Sequence, residues 1–241
     1  MICLDVTLPS VGENLALDEA FLIEADAGRG RPSLRFWEPA EHAVVLGASR
    51  RIGEDVLVEA CRADGVPVLR RTSGGGTVVV GPGALNVSVI LPEGWAPGLG
   101  AVDVAHRYVL EWIAASIRRA GPAVSLEGLG DLVTGGRKCG GSAQRRKKHW
   151  FMVHCSILYD FAIDRVARYL TIPARQPAYR AGRAHQDFLS NLGLPRRILT
   201  EAIASDSSPG LCVSEASALP LGVVQSLVSE KFSNPAWIER F

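Results

Sequence analysis

The chain has 241 residues, 47% hydrophobic and 21% charged, with a formal net charge of +1. This is enough to bury a sizeable core as one large domain, and the near-neutral balance gives no global attraction to nucleic acid. No apolar run reaches the length of a membrane span, and no basic region followed by an apolar segment opens the chain, so a cytoplasmic protein without a secretory signal is expected.

In chain order, Ser10 followed by Glu13 forms a capping box ahead of a helix expected over residues 10–25, with Gly28 as its stop. Short β runs follow at 34–37 and 43–46, then a helix at 54–63 closed by Gly65. A strand at 66–71 leads into a glycine loop, and further strands are expected at 77–80 and 86–91. Apolar residues at helical spacing (Val104, Val109, Trp112, Ile113, Ile117) predict a helix over 103–120, stopped by Gly121-Pro122. Two β-like runs then flank Gly135-Gly136, a dipeptide suited to a two-residue hairpin turn. From about residue 195 the chain reads as helices joined by a loop at 205–210. Hairpins rather than strict βαβ alternation predict an α+β protein with a mixed, largely antiparallel sheet flanked by helices. The expected domain is single, spans 1–241 and carries no separate accessory domain.

Two segments carry chemistry. In the first, Arg70 and Arg71 precede Thr72, Ser73 and the triple glycine Gly74-Gly75-Gly76. Glycine without Cβ lets the backbone come within hydrogen-bonding distance of a ligand, and the arginines put fixed positive charge beside those amides. In the second, Lys138 leaves the Gly135-Gly136 turn beside the small residues Gly140, Gly141, Ser142 and Ala143, which leave space next to its side chain. Five cysteines (Cys3, Cys61, Cys139, Cys155, Cys212) are scattered without metal spacing, which implies reduced thiols and no bound metal cluster. The histidines (His42, His106, His149, His154, His185) show no zinc spacing, and no GxxxxGK[ST] phosphate loop occurs.

Taken together, residues 70–76, then Leu85-Asn86, Asp131-Leu132-Val133, Arg137-Lys138, Gly141-Ser142-Ala143-Gln144 and His154 resemble the catalytic domain shared by lipoate-protein ligases, lipoyl/octanoyl transferases and, more distantly, biotin-protein ligases. The stretch 13–20 is similar to that family's first helix and 34–37 to the strand after it. The resemblance implies a biotin/lipoate protein ligase-like fold and an enzyme that activates lipoate, or octanoate, with ATP and magnesium as an acyl-adenylate. The acyl group then passes to a lysine of a lipoyl acceptor domain in 2-oxoacid dehydrogenase or glycine cleavage proteins. It implies Lys138 as the catalytic residue. Arg70, Arg71, Ser73, Gly74, Gly75, Gly76, Asn86, Asp131, Ser142 and His154 are implied to bind substrate or adenylate, with no metal ligand assigned.

The alternative implied by the family is transfer from an acyl carrier protein through a cysteine. One transferase branch has a Pro-Cys-Gly element after the histidine strand, where this chain reads Ile172-Pro173-Ala174; a second has its cysteine upstream of the lysine strand, where residues 124–134 contain none. Cys139 and Cys155 are the remaining candidates, and a thiol beside Lys138 is open to activation. Full-length ligases of one type carry an accessory domain for which 241 residues leave no room, so the resemblance implies either a partner chain that supplies it or a protein that performs only part of the reaction.

The acyl chain needs an apolar tunnel, for which Val78, Val80, Leu85 and Val89 are candidates as well as ordinary core positions. The run Arg145-Arg146-Lys147-Lys148-His149 is either a solvated hairpin tip or a dock for an acidic acceptor. The polar stretch 176–188, with Arg180, Arg183 and His185, either closes over the adenylate or caps the sheet. Gly28-Arg29-Gly30-Arg31 mimics a biotin-ligase loop but falls between the first helix and the next strand.

Overall fold

The computed structural model describes residues 1–205 and 219–241. Among these, a seven-stranded sheet runs in the order β1 (Ile2–Asp5), β2 (Ser33–Trp37), β6 (Ala84–Pro92), β10 (Trp150–Leu158), β9 (Arg137–Arg146), β8 (Asp131–Thr134), β7 (Ser125–Glu127). Only β1 and β2 pair in parallel; the other neighbours are antiparallel. A smaller sheet orders β4 (Val68–Arg70), β3 (Ala43–Leu46) and β5 (Val78–Val80), with β3 parallel to β4 and antiparallel to β5. The expected mixed, largely antiparallel class is therefore the one observed.

The two faces of the large sheet differ in chemistry because side chains alternate along each strand. One face presents Leu34, Phe36, Leu85, Val87, Val89, Phe151, Val153, Cys155 and Ile157. It is covered by α4 (Val102–Arg119) through Val109, Ile113 and Ile117, and by α7 (Arg196–Ser205) through Leu199 and Ile203. The opposite face presents Arg35, Asn86, Ser88, His154 and Ser156, whose register pairs (Arg35 with Ser88, Ser88 with His154, Asn86 with Ser156) place them on one side. Over this polar face lies α1 (Val11–Asp26), backed by α8 (Leu221–Leu227), the π-helical turn Val228–Phe232 and the short α9 (Pro235–Ile238). One face is thus apolar core, while the other mixes these polar residues with Trp37, Ile90 and Met152, which are buried in the clusters that α1 joins.

The capping box forms as expected: Glu13 N–H donates to Ser10 Oγ at 3.2 Å, and Ser10 N–H to Glu13 Oε2 at 2.8 Å. Ser10→Ala is expected to lower unfolding stability by about 0.5–2 kcal/mol in urea titration, the usual loss for an N-cap hydroxyl. The helix expected at 54–63 is instead two short helices, α2 (Ile52–Asp55) and α3 (Val58–Ala63). Between them Val56 is extended and bridges to Leu170, while the Asp55 carboxylate is drawn to Arg50 and Thr77; these long-range bonds override the local helical pattern. Residues 206–210 of the expected C-terminal loop lie outside the described residues.

Cys3 is disulfide-bonded, against the expectation of a wholly reduced set; sequence spacing carries no information on which Cα atoms approach within bridging distance. Cys61, Cys139 and Cys155 are free and buried, and Cys212 lies outside the described residues. No helix among the described residues is long and apolar enough to cross a membrane.

Candidate active site

The lysine strand is shaped by a bulge. Asp131 pairs with Gly141 and Leu132 with Gly140, but Val133 pairs with Lys138, so Cys139 is the extra residue on β9. Without the bulge, Lys138 and Gly141 would point to opposite faces. With it, Lys138, Asp131 and Gly141 share the polar face, because Gly141 also pairs with Ser156. The Lys138 side chain lies directly over Gly141, where a Cβ would stand 2.8 Å from Nζ. Its ammonium is held 2.7 Å from Asp131 Oδ1.

Two residues further along β9, about 7 Å away, Ala143 meets the glycine loop: a Cβ on Gly75 would stand 3.7 Å from the Ala143 methyl. Gly75 has φ +88, and Gly47 is packed so close that a Cβ there would overlap the Gly75 carbonyl oxygen, so glycine is required on both sides of the contact. Arg71 organises the loop from beneath. Its Nη2 donates to the carbonyls of Gly74 (2.6 Å) and Gly76 (2.7 Å), its Nη1 to Val45 O, and its Nε to Ser73 Oγ at 3.1 Å. The amides of Gly74, Gly75 and Gly76 have no acceptor among the described residues. Arg71 has no carboxylate within ion-pair distance there either, and burial pulls its guanidinium down to about 10. A buried cation without a counter-ion, next to free backbone amides, is an anion-receiving arrangement.

Ser73 continues the line, its Oγ 2.6 Å from His154 Nε2 on β10. Burial, then the charge of Arg71 and the proximity of His106, depress His154 to about 3, so the imidazole is neutral at physiological pH. The unfolded chain takes up the proton near pH 6.5 while the folded one refuses it until about 3, so stability is full above 6.5 and falls as pH drops through that window. The expected result is a His154 imidazole resonance that does not titrate between pH 5 and 8 in NMR. His154→Gln is also expected to shrink the loss in urea midpoint between pH 7 and pH 5.

The structure thus brings together Lys138, Asp131, Arg71, Ser73, Gly74, Gly75, Gly76, His154 and, on the same face, Asn86, whose Oδ1 accepts from Ser156 at 2.6 Å. Arg70 is not among them. Adjacent to Arg71 and therefore pointing the other way, it donates to the carbonyls of Trp237, Ile238, Gly47 and Arg50 and anchors the C-terminal turn. Ser142 also lies on the opposite face, donating to Gly130 O at 2.7 Å and sitting 2.8 Å from His106 Nε2. Leu85 and Val89 are core residues of the α4-covered face, and Val78 and Val80 pack with α1, so none of the four lies on the polar face of the large sheet. The apolar groups on the site side are Leu15, Met152 and Phe232, which with Asp18, Arg71 and His154 line a narrow slot. The basic run at 145–149 ends β9 about 25 Å from Lys138, with Arg146 paired to Glu93.

Two contributors escaped the sequence reading. Asp18 lies beside Glu19 in a helix that also carries Glu13, Asn14, Glu24 and Asp26, so no local pattern singled it out as buried. Tyr179 had no signal beyond its place in a polar segment.

Both candidate thiols lie on the apolar face. Cys139 is fully buried and pushed up to about 12 by burial, and Cys155 is raised further for the same reason. Neither shares the face on which the Lys138 ammonium stands, so no described free thiol sits beside that cation. No group of His, Cys, Asp or Glu able to hold a metal occurs among the described residues.

A polar sheet face carrying a bulge-mounted lysine and a glycine loop braced by a buried arginine is an arrangement suited to receiving an anion. The model of the lipoyl protein ligase A/B catalytic domain matches residues 10–195, and the chain belongs to that family. It is 36% identical over 160 residues to a putative lipoate-protein ligase A of Aeropyrum pernix, covering 66% of this chain and 58% of that protein. It is 31% identical over 193 residues to an octanoyltransferase of Symbiobacterium thermophilum, covering 70% and 68%. The chain therefore spans little more than half of the Aeropyrum relative. In fold it is similar to a bi-partite lipoate protein ligase from Thermoplasma acidophilum (TM-score 0.83, 20% identity, 99% of this chain and 95% of that one). It is equally similar to a lipoate-protein ligase A bound with ATP (TM-score 0.83, 20% identity, 99% and 98%).

Proposed function

We propose that this chain activates lipoate, or octanoate, with ATP–magnesium and passes the acyl group to a lysine of a lipoyl acceptor domain. The carboxylate oxygen attacks the α-phosphorus and pyrophosphate leaves; the acceptor amine then attacks the acyl carbonyl and AMP leaves. Both steps build negative charge, which the Lys138 ammonium and the loop amides beside the buried Arg71 would stabilise. The observation that carries the reading is this cationic face without a thiol: the described free cysteines are buried elsewhere. The ATP-bound fold neighbour supports the nucleotide. The apolar side of the slot discriminates weakly between acyl chains, because one methylene changes affinity by only about 1–3 kcal/mol. A separate accessory subunit is proposed as well, since a fold neighbour is a bi-partite ligase with its E2 lipoyl domain.

The second reading, octanoyl transfer through a cysteine, is favoured by the likeness to octanoyltransferases. The two separate in one experiment: the intact mass of a lipoyl acceptor domain after incubation with this protein and either lipoate plus ATP–magnesium or an octanoyl carrier protein. Acyl addition that requires ATP supports the ligase. Addition only from the carrier overturns it.

A further inference from the structure

The carboxylate that holds Lys138 is itself held from a distant segment. Asp131 Oδ1 takes the Lys138 ammonium at 2.7 Å, and Asp131 Oδ2 accepts the Tyr179 hydroxyl proton at 2.7 Å. Tyr179 sits in a 3-10 turn, Ala178–Arg180, that is tied to the β8–β9 hairpin independently of that hydroxyl. Arg183 Nη2 donates to Gly136 O at 3.0 Å and to Tyr179 O at 2.8 Å, and Arg137 Nη2 donates back to Gln186 O at 2.7 Å. Further on, Ser190 N–H donates to Lys138 O at 2.9 Å. The turn closes through Ala181, a non-glycine residue at φ 50, and the Tyr179 ring packs on Phe188 at 5.1 Å. These contacts fix where the ring stands without using its oxygen, so the hydroxyl is free to act on Asp131 rather than needed to hold the strap in place.

The geometry points to Tyr179 as a positioning residue that, through Asp131, sets where the Lys138 ammonium stands; this inference rests on Lys138 being the activating cation of the proposed ligase. A carboxylate with one oxygen on a cation is still able to rotate about its Cβ–Cγ bond. A second hydrogen bond, on the other oxygen and from a rigidly mounted ring, removes that freedom and directs Oδ1 at the ammonium. Lys138 then occupies one position over Gly141 instead of sampling several, which is the condition for a donor to be in place before charge develops. The strap of residues 178–190 is thereby linked chemically, and not only by packing, to the lysine strand.

Two measurements test this. Lysine acylation by a small amine-reactive acetyl ester needs no substrate, and the chain has only four lysines, Lys138, Lys147, Lys148 and Lys231, so peptide mass spectrometry reads Lys138 against Lys147 in the same sample. Tyr179→Phe, which keeps the ring on Phe188, is expected to raise relative Lys138 labelling several-fold. Asp131→Asn is expected to raise it at least as much, and Tyr179→Phe added to Asp131→Asn to change nothing further. In lipoate-dependent ATP–pyrophosphate exchange, Tyr179→Phe is expected to lower kcat about tenfold with KM for lipoate unchanged, the size of a lost hydrogen bond to a charged group, and to lose that effect in the Asp131→Asn background. Equal labelling in wild type and Tyr179→Phe, or independent additive effects of the two substitutions, overturns the inference. Absence of exchange activity in the wild type counts against the ligase reading instead, and the labelling arm still decides the role of Tyr179.

Discussion

Lys138→Ala is expected to reduce lipoate-dependent ATP–pyrophosphate exchange by about 10²–10³-fold, the loss of one preorganised donor aimed at developing charge, with lipoate affinity changed only a few-fold. The asymmetry follows from where the ammonium is. It stands over Gly141 on the polar face, on the strand whose Ala143 meets the glycine loop, whereas the slot on the site side is lined by Leu15, Met152 and Phe232 from other elements. On the proposed reading, the acyl chain would draw on apolar groups such as these and the activated phosphate on Lys138. The fold is expected to tolerate the change, because the lysine is about one-quarter exposed and Asp131 keeps the Tyr179 hydroxyl as a partner. Exchange kinetics together with calorimetric titration of lipoate separate the two effects. Equal losses in affinity and turnover would show that Lys138 holds the ground state rather than the transition state.

What the sequence revealed here and what it hid divide along a physical line. Features set by near neighbours were legible: the Ser10–Glu13 capping box, the Gly135-Gly136 turn with φ +56 and +73, and the glycine loop after Arg71, where Gly75 takes φ +88. Features set by which face a side chain takes were not. A shift of one residue turns a strand over, and the bulge at Cys139 does this between Lys138 and Gly141. It sends Lys138 to the site and leaves Cys139 in the core, although the two are adjacent in sequence. The same alternation separates Arg71 from Arg70 and puts Ser142 out of reach while Ala143 faces the loop. Tyr179 lies 48 residues from the carboxylate it binds, a distance that no local pattern bridges.

The largest stability effect is expected at Asp18 on α1. Its Oδ1 lies 2.6 Å from Arg35 Nη1, with both side chains almost wholly buried, and its Oδ2 accepts from Ser88 Oγ at 2.6 Å and Trp37 Nε1 at 3.1 Å. Burial opposes the charge on Arg35, and Asp18 offsets it. Asp18→Asn keeps the shape but removes the counter-charge, and turns an amide donor toward the Trp37 donor. Breaking one side of a buried pair costs about 3–5 kcal/mol, a large part of the roughly 5–15 kcal/mol that holds a domain folded. Urea unfolding at pH 7 is expected to show that loss, and Asp18→Leu combined with Arg35→Met to recover most of it, because an apolar pair leaves no orphaned charge. A loss under about 1 kcal/mol in Asp18→Asn would mean that Arg35 is carried by its other acceptors, the carbonyls of Val6 and Asn14. The outcome bears on the site as well as on stability. The Asp18–Ser88 bond is one of several that tie α1 to the polar face of the sheet, and Leu15 and Asp18 of that helix line the slot next to His154.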